Sequence, residues 1–290
     1  MKTRLISLSL LSLCAATALA DSTIDSVEAF AWAGGIGWTN WRPSAADGVL
    51  TGEYVCSGMV WAPNAGWIHL GSGTPANGIR YQNTDGADCG VNLLADGSLR
   101  GLAWGANIGW VNFEATGNPR IDFANGILKG YAWAANAGWL TLDDGDSHFV
   151  ATTQIAAGVD TDGDGITDAW ELEGTPDLTT FTIDGDADGD GIPDVAEYAA
   201  DTDPLDRDDG LRITDFAVNA DTTLVALTWT SRITRRYHID STEDLASGMW
   251  TESALGEIAP DSDTTTTRDL SEPAAPQRFY RIRAGRPLGL

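Results

Sequence analysis

The sequence predicts a mainly β protein built from three parts. Residues 21–150 contain four copies of a tryptophan-flanked motif, which predicts an antiparallel domain of repeated hairpins. Residues 158–210 are dominated by aspartate and carry two short helical patterns, which predicts a short α-containing connector. Residues 211–283 are rich in threonine, arginine and β-branched residues with strand-like alternation, which predicts a C-terminal β-sandwich.

Residues 1–20 read as a secretory signal peptide that precedes the folded chain. Lys2 and Arg4 come before an apolar run, and residues 18–20 offer the small-x-small pattern of a cleavage site. This run is too short to span a bilayer, and no later segment is apolar enough to do so. We therefore expect a mature chain that starts near Asp21 and is secreted or held at the cell surface, without a transmembrane segment.

The net charge excludes two classes of partner. The chain has 42 acidic and 17 basic residues, a formal net charge of −25, which becomes −27 when the two basic residues of the leader are removed. Such a surface repels nucleic acid and anionic lipid, so no nucleic-acid partner is expected. It suits a soluble protein that binds cations.

The four repeats share one plan. They read FAWAGGIGWT, MVWAPNAGWI, LAWGANIGWV and YAWAANAGWL, and their leading tryptophans are spaced by 29, 43 and 29 residues. Each unit is interpreted as two strands, each carrying one tryptophan, joined by a short turn. Upstream, Asp96-Gly97 and Asn125-Gly126 predict two-residue hairpin turns in which both central residues have positive φ. The domain is therefore predicted to be a meander of hairpins.

The paired tryptophans have two possible roles. A residue that recurs at one place in every unit is usually a core residue, and burial of each indole would contribute about 2–3 kcal/mol. The alternative is a row of exposed indoles on which a carbohydrate stacks. The core is the interpretation that we favour, and solvent exposure distinguishes the two for Trp32, Trp38, Trp61, Trp67, Trp104, Trp110, Trp133 and Trp139.

Two cysteines remain after the leader is removed. Because exported proteins rarely keep spare thiols, Cys56 and Cys89 are expected to form a disulfide. A loop of this length would stabilise the fold by about 3–4 kcal/mol. The alternative is a pair of buried free thiols.

The aspartate-rich region carries two calcium-loop patterns of twelve residues. DTDGDGITDAWE and DADGDGIPDVAE both match D-x-D-x-D-G-x5-E, with glycine at position 6 and glutamate at position 12. A frame that starts at Asp184 would put Val195 at position 12 and lose the closing carboxylate, so we reject it. The predicted ligands, with the isoleucines acting through their carbonyls, are Asp160, Asp162, Asp164, Ile166, Asp168, Glu171, Asp186, Asp188, Asp190, Ile192, Asp194 and Glu197.

Calcium is the ion that this chemistry favours. It takes six to eight oxygens, and alternating carboxylates on a tightly wound loop converge on one point. Residues 158–210 contain eighteen acidic residues and one basic residue, Arg207, so without cations the segment would repel itself. We expect about two Ca²⁺ ions with a structural role. The alternative is a disordered acidic linker.

Two resemblances extend this interpretation. The two loops, with the ending DTDPLD, resemble bacterial thrombospondin type 3-like calcium repeats, and YHIDSTEDL and RFYRI resemble strands of the fibronectin/Ig-like β-sandwich that often follows them. The resemblance implies a secreted or surface-attached protein in which the repeats form a stiff connector, with Asp201 and Asp203 as further oxygen donors. The tryptophan units resemble GYAW…NIGWI repeats of bacterial surface proteins, a likeness that implies no activity.

No catalytic residue is predicted. The sequence has no G-x-S-x-G elbow and no H-E-x-x-H motif, and its histidines, His69, His148 and His238, are scattered. We therefore predict a non-catalytic structural or adhesive protein in which calcium stiffens the connector, with an unidentified surface protein or polysaccharide as partner. The alternative is a carbohydrate-binding protein that uses the tryptophans.

Overall fold

The computed structural model describes residues 21–145, 148–219, 224–271 and 275–289, so the predicted signal peptide lies outside the described residues. Strands account for 40% of the chain and helices for 8%, which confirms the mainly β class. The N-terminal strands are β1 (Ile24–Ala33), β2 (Gly37–Asn40), β3 (Val49–Thr51), β4 (Cys56–Ala62), β5 (Gly66–Gly71), β6 (Val91–Leu93), β7 (Leu99–Gly105), β8 (Gly109–Phe113), β9 (Arg120–Ile121), β10 (Ile127–Lys129), β11 (Tyr131–Ala134), β12 (Gly138–Thr141) and β13 (Val150–Thr152).

The connector and the C-terminal part contribute the remaining elements. The connector holds two short helices, α1 (Asp168–Gly174) and α2 (Asp194–Ala200). The C-terminal strands are β14 (Ile213–Val218), β15 (Leu224–Thr230), β16 (Arg236–Thr242), β17 (Thr251–Glu252), β18 (Thr265–Ser271) and β19 (Phe279–Gly285).

The four hairpins close into a ring instead of forming an open meander. Antiparallel pairing runs through β1, β2, β4, β5, β7, β8, β11 and β12, and β12 pairs back onto β1 through Trp32–Thr141 and Ala33–Leu140. The remaining N-terminal strands extend the sheet, with β3 beside β4, β6 beside β7, and β13 and β10 continuing from β1. Closure removes the open edges from this set of eight strands.

Alternation along the strands decides which side chains fill the ring. Ala31 and Ala33 of β1 are buried while Trp32 between them faces solvent, and the same order recurs in β11 at Ala132, Trp133 and Ala134. The small alanines fit the narrow interior, together with the valine, leucine and isoleucine side chains of the neighbouring strands. The hydrophobic core of this part is therefore largely aliphatic.

The favoured core role of the paired tryptophans was wrong. Seven of the eight are 40–44% exposed and Trp61 is half-buried, whereas Trp41, outside the repeated pairs, is fully buried. The physical reason is the two-residue period of a strand: neighbours such as Ala31 and Ala33, or Ile68 after Trp67, are turned inward, so the indole turns outward. The interpretation of each unit as two strands that each carry one tryptophan is confirmed, and the two tryptophans lie opposite each other at Trp32–Trp38, Trp61–Trp67, Trp104–Trp110 and Trp133–Trp139.

These pairs stabilise the hairpins from outside the core. Their ring centroids are 4.7–5.1 Å apart and their planes cross at 60–70°, the edge-to-face arrangement that aromatic rings prefer. Such a pair contributes about 0.5–1.5 kcal/mol beyond the area that it buries. Each indole therefore supports its hairpin while part of its surface stays in contact with solvent.

The turns of the four hairpins are hydrogen bonded to one another in a circle. The Asn64 side-chain amide donates to the Ile36 carbonyl of the preceding turn at 3.0 Å, and Asn107 and Asn136 repeat this contact to Ala65 and Ile108 at 3.1 Å. The first hairpin has glycine where the others have asparagine. There the backbone N–H of Gly35 donates to the Ala137 carbonyl at 3.0 Å and completes the circle.

The upstream turns have a different form from the one predicted. Gly97 and Gly126 have positive φ, but Asp96 and Asn125 do not. The N–H of Leu94 donates to the Ser98 carbonyl, which leaves a three-residue loop, and the N–H of Asp122 donates to the Ile127 carbonyl around a longer one. The aspartate and asparagine side chains instead accept backbone N–H groups two residues ahead, so glycine alone takes the left-handed conformation.

The predicted disulfide is not found. Cys56 and Cys89 are both free thiols, the first buried and the second partly exposed. Cys56 begins β4 with its side chain in the aliphatic core, and burial raises its pKa to about 12. The Cys89 sulfur lies 3.6 Å from the Gly86 carbonyl, within its own loop.

The C-terminal strands form the predicted β-sandwich. One sheet has the order β14-β15-β18 and the other β17-β16-β19. Leu227 and Trp229 from the first sheet pack with Tyr237 and Ile239 from the second, and all four are buried. Within the described residues, no helix combines the length and the apolar character that crossing a bilayer requires.

The closing contact of the ring can be tested by adding one methyl group. A Cβ atom at Gly35 would lie 2.7 Å from the Ala137 carbonyl oxygen, so Gly35→Ala must push the first and last turns apart. We expect a loss of about 1–3 kcal/mol in the free energy of unfolding, measured by urea titration with tryptophan fluorescence.

The neighbouring glycine is the matched control. Nothing lies within 4 Å of a Cβ built at Gly34, so Gly34→Ala should change stability by less than about 1 kcal/mol. Equal stability of the two variants would show that the Gly35–Ala137 contact does not hold the ring closed.

Candidate calcium sites

The first aspartate-rich loop is wound by hydrogen bonds to its own carboxylates. Asp160 accepts the N–H groups of Gly163 and Gly165 at 2.7 and 3.0 Å, and Asp164 accepts that of Ile166 at 2.9 Å. Gly163 and Gly165 have φ values of +78° and +95°, which side chains rarely adopt. The two glycines therefore let the chain coil tightly enough for the aspartates at positions 1, 3 and 5 to converge.

The second loop repeats this geometry. Asp186 accepts the N–H groups of Gly189 and Gly191 at 2.9 and 3.0 Å, and Gly189 and Gly191 again have positive φ. In each loop, one carboxylate oxygen from each of the three aspartates lies within 4.8 Å of the others. The predicted aspartates of positions 1, 3 and 5 are therefore brought together in both loops, and the alternative of a disordered linker is wrong.

The closing glutamates show that the loops are built for a cation. Glu171 and Glu197 are fully buried, and neither oxygen of Glu171 has a hydrogen-bond partner among the described residues. One oxygen each of Glu197, Asp164 and Asp188 is likewise buried without a described partner. A buried carboxylate oxygen without a donor costs several kcal/mol, and a divalent ion satisfies it directly. The donor set, entirely carboxylate and carbonyl oxygen, fits the hard Ca²⁺ ion.

Electrostatics in the loops also favours a cation. Burial, followed by the neighbouring Asp162 and Asp164, raises the pKa of the Glu171 carboxyl to about 7. Burial, followed by Asp188 and Asp190, raises the pKa of Glu197 to about 8. Protons and calcium therefore compete for these two glutamates near neutral pH.

The aspartates at position 9 have a different task in this structure. Asp168 accepts the N–H of Thr161 at 2.7 Å and its hydroxyl at 2.5 Å, and Asp194 accepts the N–H groups of Ala187 and Thr182. Both carboxylates thus tie the start of the following helix to the start of the loop. They orient the ligand loop from outside the cluster of converging oxygens.

The isoleucines at position 7 anchor the loops. Ile166 is fully buried and packs with Trp170, Phe181, Tyr198 and Tyr54, a cluster that joins both helices of the connector to the N-terminal ring. Ile192 is half-buried. The contact of Tyr54 with this cluster fixes one calcium loop against the ring.

Three basic residues of the C-terminal sandwich, Arg212, Arg232 and Arg235, touch the connector and were missed by the sequence reasoning; Arg232 forms an ion pair with Asp209. Arg212 forms an ion pair with Asp190, a predicted ligand of the second loop. Arg235 lies 3.5 Å from Asp201, which also accepts a hydrogen bond from Thr234, so Asp201 serves the interface rather than a calcium loop. The paired residues are far apart along the chain, so no local sequence pattern indicates these pairs.

Comparison with known proteins agrees with this geometry. A family model for the bacterial TSP3 repeat matches residues 160–173 and 186–207, which include both loops. These repeats are structural calcium-binding modules of extracellular proteins and are not catalytic. Neither the curated proteins nor the solved structures contain a significant match to the chain.

The closing glutamates provide the sharpest test of the sites. Glu171→Gln and Glu197→Gln keep the shape of the side chain and remove the negative charge that closes each loop. We expect each variant to lose at least tenfold in calcium affinity at one site, because a bidentate carboxylate is replaced by a neutral amide. Isothermal titration calorimetry at pH 7.5 measures both affinity and stoichiometry.

Asp184→Asn is the matched control, because Asp184 is exposed and lies just before the second loop. It removes the same charge from the same region and should leave calcium binding almost unchanged. If the Asp184 variant lost as much affinity as Glu197→Gln, the loop frame from Asp186 to Glu197 would be wrong.

Proposed function

We propose that this chain is a secreted or cell-surface, non-catalytic adhesive protein in which two calcium ions, one in each loop, rigidify the connector between a tryptophan-ring domain and a β-sandwich. The observation that supports the proposal is that the connector packs against both β parts through buried contacts. A partner at the surface, either a protein or a polysaccharide, would bind one of the two β parts.

One buried cluster joins all three parts. Glu53 of the N-terminal part lies 3.3 Å from Arg235 and 3.3 Å from Arg286, which both belong to the C-terminal part. Tyr198 of α2 donates its hydroxyl to Glu53 at 3.0 Å, and its carbonyl accepts from Arg235 at 2.9 Å. Removing Glu53 would take the shared carboxylate from both arginines, and breaking a buried ion pair commonly costs about 3–5 kcal/mol.

Calcium would keep this junction in place. The two loops precede α1 and α2 directly, and α2 carries Tyr198 into the cluster around Glu53. If the closing glutamates are not neutralised by calcium, their repulsion with the neighbouring aspartates opposes the folded loop. Loss of the ions should therefore loosen α2 and release the contact between the two β parts.

Limited proteolysis tests this role. Glu-C protease cleaves after glutamate, and the connector has three, of which Glu171 and Glu197 are fully buried in the folded loops. We expect metal-free protein to be cut at these glutamates and calcium-loaded protein to be resistant.

A double variant, Glu171→Gln with Glu197→Gln, lacks these two cleavage sites and should also lose its calcium response. Its remaining connector glutamate, Glu173, should then be cut equally with and without calcium. Wild-type protein that resists cleavage equally in both conditions would show that calcium does not rigidify the connector.

Exposure of the tryptophans favours carbohydrate binding as a second candidate function. Around the outside of the ring, the first tryptophan of each hairpin stands opposite a polar side chain of the neighbouring hairpin: Asn40 with Trp61, His69 with Trp104, Asn112 with Trp133 and Thr141 with Trp32. Sugars have apolar faces that stack on indoles and hydroxyls that bond to amide, imidazole or hydroxyl groups. The ring presents this combination four times.

The alternative explanation for the exposed indoles is hairpin stability alone. The edge-to-face contact within each pair already uses part of both rings. A sugar-binding role requires the remaining exposed surface to take part, and substitutions that separate stability from stacking can decide this.

Trp110 suits such a test because it is exposed and pairs with Trp104. Trp110→Phe keeps an aromatic face, whereas Trp110→Leu keeps apolar bulk without one. We expect the leucine variant to lose about three- to tenfold in affinity for any polysaccharide that the wild type binds on a glycan array, and the phenylalanine variant to lose less.

Urea unfolding of both variants provides the control, because a shared fall in stability would reveal a general structural effect. Equal binding by the leucine variant and the wild type, or no glycan bound by the wild type, would contradict the carbohydrate proposal. Neither outcome would affect the calcium-dependent role of the connector.

A further inference from the structure

A cleft of about 690 Å³ lies where the three parts of the chain meet. Residues 154–157 leave the N-terminal ring on one side, Gly165 and α2 of the connector lie on a second, and strands β16 and β19 of the sandwich lie on a third. This volume falls within the range of about 300–1,000 Å³ that small-molecule sites usually have. None of the paired tryptophans is among the described residues that line the cleft.

The charge of the cleft is opposite to that of the protein. The chain has more than twice as many acidic as basic residues, 42 against 17. The cleft lining reverses this ratio: it includes Arg235, Arg236, Arg283 and Arg286 with His238, and Glu257 is the only carboxylate among the described lining residues. A local concentration of guanidinium groups in so acidic a chain indicates a site for an anion.

Carboxylates outside the lining neutralise three of these arginines. Arg283 donates to both oxygens of Asp240 at 2.7 and 3.0 Å. Arg235 and Arg286 share Glu53. These three side chains are therefore fixed in place.

Arg236 is different, because its charge is buried without a close carboxylate. Its side chain is only 9% exposed, and its Nε lies 3.9 Å from Glu257. Nη1 donates to the Arg235 carbonyl at 3.0 Å, and the guanidinium carbon lies 5.9 Å from the centre of the Phe123 ring. No described residue accepts a hydrogen bond from Nη2.

The energetic consequence is an incompletely compensated cation. Burial lowers the pKa of Arg236, whereas bonding to Asp240 raises that of Arg283. A buried guanidinium normally gains two parallel hydrogen bonds from a carboxylate or phosphate group. Glu257, at 3.9 Å and half-exposed, supplies neither of them at hydrogen-bond distance.

We propose that this cleft binds a small oxyanion, a carboxylate or a phosphate group, with Arg236 as its principal donor. The anion would take the free N–H groups of Arg236, and His238 lies on the same wall of the cleft. The Nδ1 of His238 contacts Glu252 at 2.8 Å, which holds the imidazole ring on this wall. The proposed donor residues lie outside the two calcium loops and outside the paired tryptophans.

Calorimetry with matched sugars tests the proposal on the full, calcium-loaded chain. D-glucuronate supplies a carboxylate, glucose 6-phosphate supplies a phosphate, and glucose is the neutral control. We expect at least one of the two anions to bind with a dissociation constant below 10 mM, weakening as salt is raised, because charge drives the contact. The comparison of the two anions identifies the preferred group.

Two variants locate the binding. Arg236→Gln should weaken anion binding about tenfold or more, as expected when a charge-assisted hydrogen bond is lost. Glu257→Gln should strengthen it about threefold, because it removes the competing carboxylate from a half-exposed position that tolerates substitution. Arg268→Gln, an exposed arginine paired with Asp261 elsewhere in the sandwich, is the control and should bind as the wild type does.

The opposite signs of the two variants keep the proposal testable even if Arg236→Gln does not fold. In that case Glu257→Gln decides: tighter binding supports the site, and unchanged binding overturns it. The proposal is also overturned if neither anion binds below 10 mM, or if glucose binds as strongly as both anions. Binding to the tryptophan ring would be distinguished by its insensitivity to Arg236→Gln.

Discussion

Mutual repulsion among carboxylates is the constraint on which the arrangement of this protein depends. Each calcium loop converges three aspartates and buries a glutamate, so a cation that takes these oxygens would stabilise the folded loop. The same loops lead into the helices that carry Trp170 and Tyr198, which pack into the cluster that holds the connector to the ring. The ion sites and the junction of the three parts are thus linked through the same two helices. Repulsion among the acidic residues would destabilise this junction, and a bound cation would reduce that repulsion.

The N-terminal ring follows a different principle, in which the core is mainly aliphatic and the paired tryptophans lie outside it. Alanines at alternate positions allow eight strands to close around a narrow interior, and the indoles between them pair on the outer surface. The polar contacts that hold the turns together lie at one end of the hairpins, where an asparagine of one turn reaches the carbonyl of the preceding turn. Stability is therefore distributed over pairs of neighbours, with no single central side chain.

Local patterns predicted what depends on local geometry. The sequence was sufficient to predict the calcium loops, the short helices after them, the paired tryptophans and the sandwich. Each of these depends on spacing within about a dozen residues or on strand alternation. Burial could not be predicted from these patterns, because Ala31 and Trp32 are adjacent and the sequence does not show which of them faces inward. Contacts between distant segments could not be predicted, because no local sequence pattern indicates them. They include the pairing of β12 with β1 and the ion pairs Glu53–Arg235 and Asp190–Arg212. The disulfide prediction was wrong for a related reason: pairing depends on the direction of the Cys56 side chain, which lies in the hydrophobic core.

The circular hydrogen bonding of the four turns has a consequence for how such a protein can evolve. An open array of repeats grows by internal duplication, because each added copy meets the same neighbour as the last. Here the last turn must reach the first, and glycine rather than asparagine makes that step between Gly35 and Ala137. A fifth hairpin would have to be inserted into a closed circuit and would change its circumference. The number of hairpins in one ring is thereby held at four. A larger number of hairpins would require a second ring domain or association of several chains.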